Sequence, residues 1–209
     1  MLIALPNLDG SFTCTLFLHH KGEESFDQIV NGQQLNLFFS KYFPDALKLI
    51  PDLEQQYFEH PEGSMVTVKT FPWSYKGKYC LIGDAAHAIV PFYGQGMNCG
   101  FEDCEIMDEL VRQHRTDFKN IFKNFETIRK PNADAIALMA INNFTEMRDL
   151  VTDPVFLAKK KLEAKIKKED PNWLTQYEMV TFSNIPYAEV MVRAKENERA
   201  IEKLIENKR

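Results

Sequence analysis

The chain has 209 residues, 44% hydrophobic and 26% charged, enough to bury a core in one large domain or two smaller ones. A formal net charge of −5 argues against nucleic acid as its main partner. Four cysteines with no CxxC pair argue against a metal site, and three of them sit in apolar or small-residue runs, which suits buried free thiols in a reducing cytoplasm. No run approaches the roughly 20 apolar residues of a membrane span, and the N-terminus lacks the basic and apolar regions of a signal peptide.

In chain order, MLIALPNLDGSFTCTLFLHH reads as two strands joined through Asn7–Gly10, with Asp9-Gly10 as the hairpin signal. The first strand opens at residue 1 without a lead-in, which suggests a fragment of a longer protein. Residues 25–58 read as helix in pieces broken by prolines. SMVTVKTF (64–71) alternates through Val66 and Val68 and reads as a strand. Tyr79–Ile82 is apolar on both faces, which suits a central parallel strand.

Helix is expected for most of the remainder. Phe101, Cys104, Met107 and Val111 mark one stripe. Phe118, Ile121, Phe122 and Phe125 mark a second helix ending near Lys130-Pro131, and Ile136, Ala140, Asn143, Met147 and Leu150 a third. Thr152-Asp153-Pro154 signals the start of a fourth, whose lysines form a solvated face. WLTQYEMVTFSNIPY reads as a connector, and a last helix over 187–207 carries Val190, Ala194, Ile201 and Leu204.

CLIGDAAHAIVPFYGQGMNCGFEDC, from Cys80 to Cys104, concentrates the chemistry. A strand ending in Gly83-Asp84 sets a carboxylate beyond the sheet edge, where ligands of α/β sheets sit and where an Asp can accept from sugar hydroxyls. Gly94, Gly96 and Gly100 allow backbone to approach a flat ligand. The helix start beyond GQGMN exposes unpaired N–H groups and a positive dipole end. A Gly-rich connector with no ligand explains the spacing equally well. His87 reads as a structural partner within the stretch. Asn143 interrupts an apolar stripe, so it is either a core amide bonded to neighbouring backbone or a ligand contact. Tyr177 alone reads as a half-buried connector aromatic.

GDAAH, then a Pro, then GxGxN resembles the second flavin-contact motif of the FAD-dependent aromatic hydroxylases of the p-hydroxybenzoate hydroxylase type. ALPN, SFTCTLF, KYFPDA, NNFTEMR and YEMVTFS narrow the resemblance to the branch that hydroxylates kynurenine, over its C-terminal half. The resemblance implies FAD as cofactor, NADPH as co-substrate, and conversion of L-kynurenine to 3-hydroxykynurenine by oxygen carried on the flavin. Gly83 and Asp84 would meet the sugar chain of FAD, and Pro91 with Gly94, Gly96, Met97 and Asn98 would lie along its ring system. Pro91, Phe92, Tyr93 and Gln95 would wall flavin from substrate. Asn143 and Tyr177 would hold the amino-acid end of the substrate, and no side chain would act as the catalyst.

The chain departs from that family by lacking a GxGxxG turn, the mid-chain Asp-Gly motif and the Arg that grips the substrate carboxylate. Alternatives are another flavin hydroxylase, for a phenol or ubiquinone precursor, and a truncated non-catalytic interaction module. The expected fold is α+β: the end of a substrate-domain sheet (1–75), a flavin-facing strand–loop–helix (76–130) and a helical part (131–209). Self-association through surface left by an absent N-terminal half is expected, in the cytoplasm.

Overall fold

The computed structural model describes residues 1–206. It is mostly helical, with two small two-stranded sheets, and divides into compact units at 1–64 and 65–209.

In the first unit, β1 (Leu2–Pro6) pairs antiparallel with β2 (Phe12–Leu16), Leu2 opposite Leu16. Asp9 stabilises the turn by accepting from the backbone and hydroxyl of Ser11. Three short helices follow: α1 (Gly32–Tyr42), α2 (Pro44–Leu49) and α3 (Leu53–Glu59). Asn31 caps α1 through the Gln34 N–H, and Pro44 starts α2. Ile29, Leu35 and Phe39 form the core, with Leu2, Leu16 and Phe43 packed around it.

No strand forms over 64–71. In the second unit the Val68 and Thr70 N–H groups instead bond the carbonyls of Ala88 and Ala86, so the alternation marks a segment lying along 86–88. The expected central parallel strand is also absent. β3 (Ser74–Tyr75) and β4 (Tyr79–Cys80) form a minimal antiparallel hairpin. The reason is Lys76-Gly77: both have positive φ, and the Lys78 N–H bonds the Tyr75 carbonyl, so the chain reverses within the three residues between paired Tyr75 and Tyr79. Gly77 is required there, since a Cβ would come within 3.0 Å of the Lys119 backbone.

The helices are α4 (Asp84–His87), α5 (Gly96–His114), α6 (Phe118–Thr145), α7 (Pro154–Glu169), α8 (Gln176–Phe182) and α9 (Tyr187–Glu206). Two expectations fail. First, α6 runs through Pro131 rather than ending there. Proline removes one intrahelical donor and crowds the preceding turn, but buried Phe125 and Arg129 on one side and Ala133, Ile136 and Ala140 on the other keep the helix continuous. A π-helical turn, Glu146–Leu150, ends it. Second, the connector contains α8, opened by a capping box between Thr175 and Glu178. Asp153 and Pro154 start α7 as expected; Lys159, Lys160, Lys165 and Lys167 on it pair with glutamates. Asn207, the expected end of the last helix, lies outside the described residues.

Two cores hold this unit. One gathers Cys99, Ile136, Met139, Met179, Tyr187 and Val190 from α5, α6, α8 and α9; of the cysteines expected to be buried only Cys99 is, Cys80 being half-buried and Cys14 and Cys104 exposed. The other joins Trp73, Ala86, Leu110, Ile121, Phe125 and Ala133. The segment from Gly83 to Asn98 touches both: Ala86 belongs to the second, and Ile89 and Tyr93 pack on the first.

Candidate functional site

Gly83 precedes α4 with φ +59° and ψ −142°, a backbone that side-chain-bearing residues avoid. Asp84 opens α4 and is exposed. His87, at the end of the same turn, is buried and bonded through Nε2 to Asp103 at 2.6 Å. Burial alone would keep His87 neutral; the carboxylate and the neighbouring Cys99 thiol outweigh it and push its pKa up to about 10.

The chain next makes a turn of 3-10 helix at Pro91–Tyr93, and Gly94 closes it in the left-handed region (φ +66°). Phe92 is buried and its ring stacks on Phe144, centroids 4.5 Å apart. The Phe92 carbonyl accepts from the Asn143 side chain at 2.8 Å. Tyr93 accepts a hydrogen bond from Gln176 on its hydroxyl and faces the Tyr177 ring at 6.0 Å. Burial pushes the Tyr93 phenol up to about 12, so it stays neutral. Gln95 is buried; its Oε1 accepts from Asn98 and from the Tyr187 hydroxyl, both at 3.0 Å.

The start of α5 differs from the other long helices of this unit. Asp117 caps α6, Asp153 caps α7, and α9 has Glu189 in its first turn. No side chain caps α5, and its first turn holds no acidic residue. The first intrahelical bond is from the Cys99 N–H to the Gln95 carbonyl, so the N–H groups of Gly96, Met97 and Asn98 are the helix's unpaired donors. That end favours a group carrying negative charge. A Cβ at Gly94 or Gly100 would meet no atom within 4 Å. Glycine inside a helix costs roughly 0.5–1 kcal/mol against alanine, and at Gly100 no contact within the chain demands it. Gly96 has only an ordinary contact, 3.9 Å to Ile89.

The fold thus brings Phe92, Tyr93, Gln95, Asn143 and Tyr177 to one turn, from α6, α8 and the start of α5. Sequence reasoning missed the buried ionic cluster behind it. Asp103 accepts from the Gly83 N–H (2.8 Å), His87 (2.6 Å) and Arg129 Nε (2.6 Å). Arg129 also donates to Glu102 and to the Cys99 carbonyl. Burial opposes the charge of Asp103, but its three donors hold the carboxyl below its usual range. The stripe expected on α5 is not its inward face: Phe101 and Cys104 are exposed, and Cys99, Asp103 and Leu110 are buried instead; on α6 the signal is Arg129 at four-residue spacing between buried Phe125 and Ala133.

Residues 59–137 match the sequence model of the FAD binding domain family. A kynurenine 3-monooxygenase from Flavobacterium johnsoniae is 50% identical over 192 residues, 91% of this chain and 43% of that protein. This chain is similar to the kynurenine 3-monooxygenases. The Myxococcus xanthus protein of that name is 53% identical over 90% of this chain and 40% of its own length, and that of Dictyostelium discoideum 48% identical over 98% and 47%. The chain therefore spans less than half the length of these kynurenine 3-monooxygenases. The family match contains Gly83, Asp84, the turn at 91–93, the start of α5, Asp103 and Arg129; Asn143 and Tyr177 lie beyond it. Among the described residues no group of His, Cys, Asp or Glu could hold a metal, and no helix is long and apolar enough to cross a membrane.

Proposed function

We propose that this chain builds the flavin-ring side and part of the substrate wall of an FAD- and NADPH-dependent monooxygenase that hydroxylates L-kynurenine to 3-hydroxykynurenine. The observation that carries this reading is the uncapped start of α5 directly behind the Pro91–Tyr93 turn, inside the segment matching the FAD binding domain family. Asp84 would accept hydrogen bonds from the FAD sugar chain, with Gly83 setting its approach. Pro91, Gly94, Gly96, Met97 and Asn98 would lie along the ring system. FAD, when bound, supplies the redox chemistry, with NADPH as reductant and oxygen as co-substrate.

The chain's own residues then have distinct tasks. The positive end of α5 stabilises negative charge on the adjacent ring without reorganising at the moment of reaction. The Phe92–Phe144 stack and the Tyr93–Tyr177 contact set an aromatic wall, which would shield the substrate side from water once substrate covers half-exposed Tyr177. Gln95 is held by Asn98 and Tyr187 and keeps the turn in register with α5. Asn143 and Tyr177 grip the amino-acid tail of kynurenine. In domain terms, the unit 1–64 supplies the end of a substrate sheet, and the unit from residue 65 the flavin-facing segment and the helical part, since limits at 75 and 130 would fall inside the β3–β4 hairpin and α6.

The test is a fusion of this chain behind the N-terminal portion of the Flavobacterium johnsoniae relative, here called the joined protein. It should retain FAD and consume NADPH faster with kynurenine than with simple phenols. A joined protein that folds and stays colourless would remove the flavin assignment.

A further inference from the structure

Asp103 is fully buried, and neither substrate nor cofactor is needed to explain its partners. Three donors converge on its two oxygens. Oδ2 takes the Gly83 N–H and His87 Nε2, while Oδ1 takes Arg129 Nε. Arg129, itself buried, is held from its other nitrogens by Glu102 and by the Cys99 carbonyl. The cluster therefore ties α5 and α6 to one main-chain N–H, that of the residue before Asp84.

That N–H belongs to the residue of the turn with positive φ, a conformation open to glycine without strain. Gly83 has positive φ, and a Cβ there would meet no atom within 4 Å, so neither crowding nor side-chain packing fixes its conformation. Its N–H lies on the peptide between Ile82 and Gly83, and the bond to Asp103 sets that peptide's orientation; the next peptide, into Asp84, is held by the Gly83 carbonyl, which accepts from the Ala86 and His87 N–H groups. A second set of bonds holds the far end of α4: the Thr70 hydroxyl and N–H both donate to the Ala86 carbonyl, and the Val68 N–H donates to that of Ala88. With both ends tied, the one exposed carboxylate of α4 is displayed at a fixed place.

We infer that Asp103, locked by Arg129 and His87, is a positioning residue for cofactor binding: it fixes the Gly83 peptide and through it the Asp84 carboxylate. The inference rests on the reading that Asp84 contacts the FAD sugar chain. It assigns to the cluster a role in cofactor affinity, beyond holding two helices together.

Asp103→Asn is nearly isosteric and tests the point, because its single oxygen cannot serve both the Gly83 side and the Arg129 side. Arg129→Lys is the second variant; it keeps the charge but cannot reach Asp103, Glu102 and Cys99 together. In the joined protein, FAD dissociation constants are measured by fluorescence quenching for the parent, Asp84→Ala, Asp103→Asn, Arg129→Lys and the double variant Asp84→Ala/Asp103→Asn. Thermal midpoints are recorded on the FAD-free forms. Loss of one bond from a charged acceptor predicts FAD binding weaker by roughly tenfold or more for Asp84→Ala and Asp103→Asn. The double variant should be little worse than either single one, because Asp103 acts through Asp84. Arg129→Lys should fall between parent and Asp103→Asn. An Asp103→Asn protein with a lowered thermal midpoint but parental FAD affinity overturns the inference, as does simple additivity in the double variant. A parent that binds FAD while Asp84→Ala binds it equally well overturns the Asp84 reading instead. If Asp103→Asn fails to fold, Arg129→Lys carries the same cycle with Asp84→Ala.

Discussion

The side-chain amide of Asn143, on α6, donates to the main-chain carbonyl of Phe92, 51 residues earlier in the chain, at 2.8 Å. The bond uses one N–H of the amide. Among the described residues nothing bonds the Asn143 side-chain oxygen, so the same group can brace the turn and meet a substrate. In the joined protein, Asn143→Ala should raise KM for kynurenine about 10-fold or more, with flavin content unchanged. Tyr177→Phe should raise KM in the same direction. Steady-state kinetics that leave both variants at the parental KM would return them to packing roles.

Gly100 offers a prediction with opposite signs in two settings. It lies inside α5, with no atom within 4 Å of the place a methyl group would take. Gly100→Ala should therefore stabilise the chain by roughly 0.5–1 kcal/mol in a denaturant titration. In the joined protein the same methyl should weaken FAD binding, if α5 faces the flavin closely. Tighter or equal FAD binding together with the stability gain would mean that no ligand approaches this turn.

The His87–Asp103 pair makes stability depend on alkaline pH. The folded pKa of His87, about 10, lies above its ordinary value of 6.5, so the folded state binds the proton more tightly. The resulting stability is fully present below about 6.5 and is lost as pH rises through about 10, on the order of a few kcal/mol. His87→Gln should flatten that part of the profile. Parallel thermal melts from pH 6 to about 10.5, parent against variant, isolate the contribution from the lysines and tyrosines that titrate in both; parallel curves would show that His87 is not charged.

How far the sequence can be read depends on whether the signal is local. The hairpin at Asn7–Gly10 and the Asp153-Pro154 start of α7 are legible, because turn chemistry and caps act within a few residues. The Lys76-Gly77 turn and the Thr175–Glu178 capping box are equally local, yet the apolar run beside the first and the mixed composition around the second mask them. A hairpin then reads as a parallel strand and a helix as a connector. Pro131 misleads for another reason: its cost is local, but the packing that overrides it on α6 comes from other helices. The Asp103–Arg129 pair is hidden the same way, since 26 residues separate its members and only the fold brings them within 2.6 Å.

On its own, the chain contains no GxGxxG turn to carry a pyrophosphate. Residues 1–209 should then bind FAD weakly or not at all and form no 3-hydroxykynurenine. Exposed Leu81, Ile82, Met97 and Phe101 favour self-association. Size-exclusion chromatography with a flavin titration checks both parts. A monodisperse monomer with one FAD at micromolar affinity would show that the ring side alone supplies the binding energy.

The central claim, that this chain faces the flavin and holds kynurenine, is tested most directly by product formation in the joined protein. Kynurenine, NADPH and oxygen are supplied, and 3-hydroxykynurenine is quantified against NADPH consumed. The account predicts product formation that requires FAD, falls in Asp84→Ala through lost FAD, and falls in Asn143→Ala through raised KM. A folded, FAD-loaded joined protein that oxidises NADPH with phenols and leaves kynurenine unchanged would contradict it.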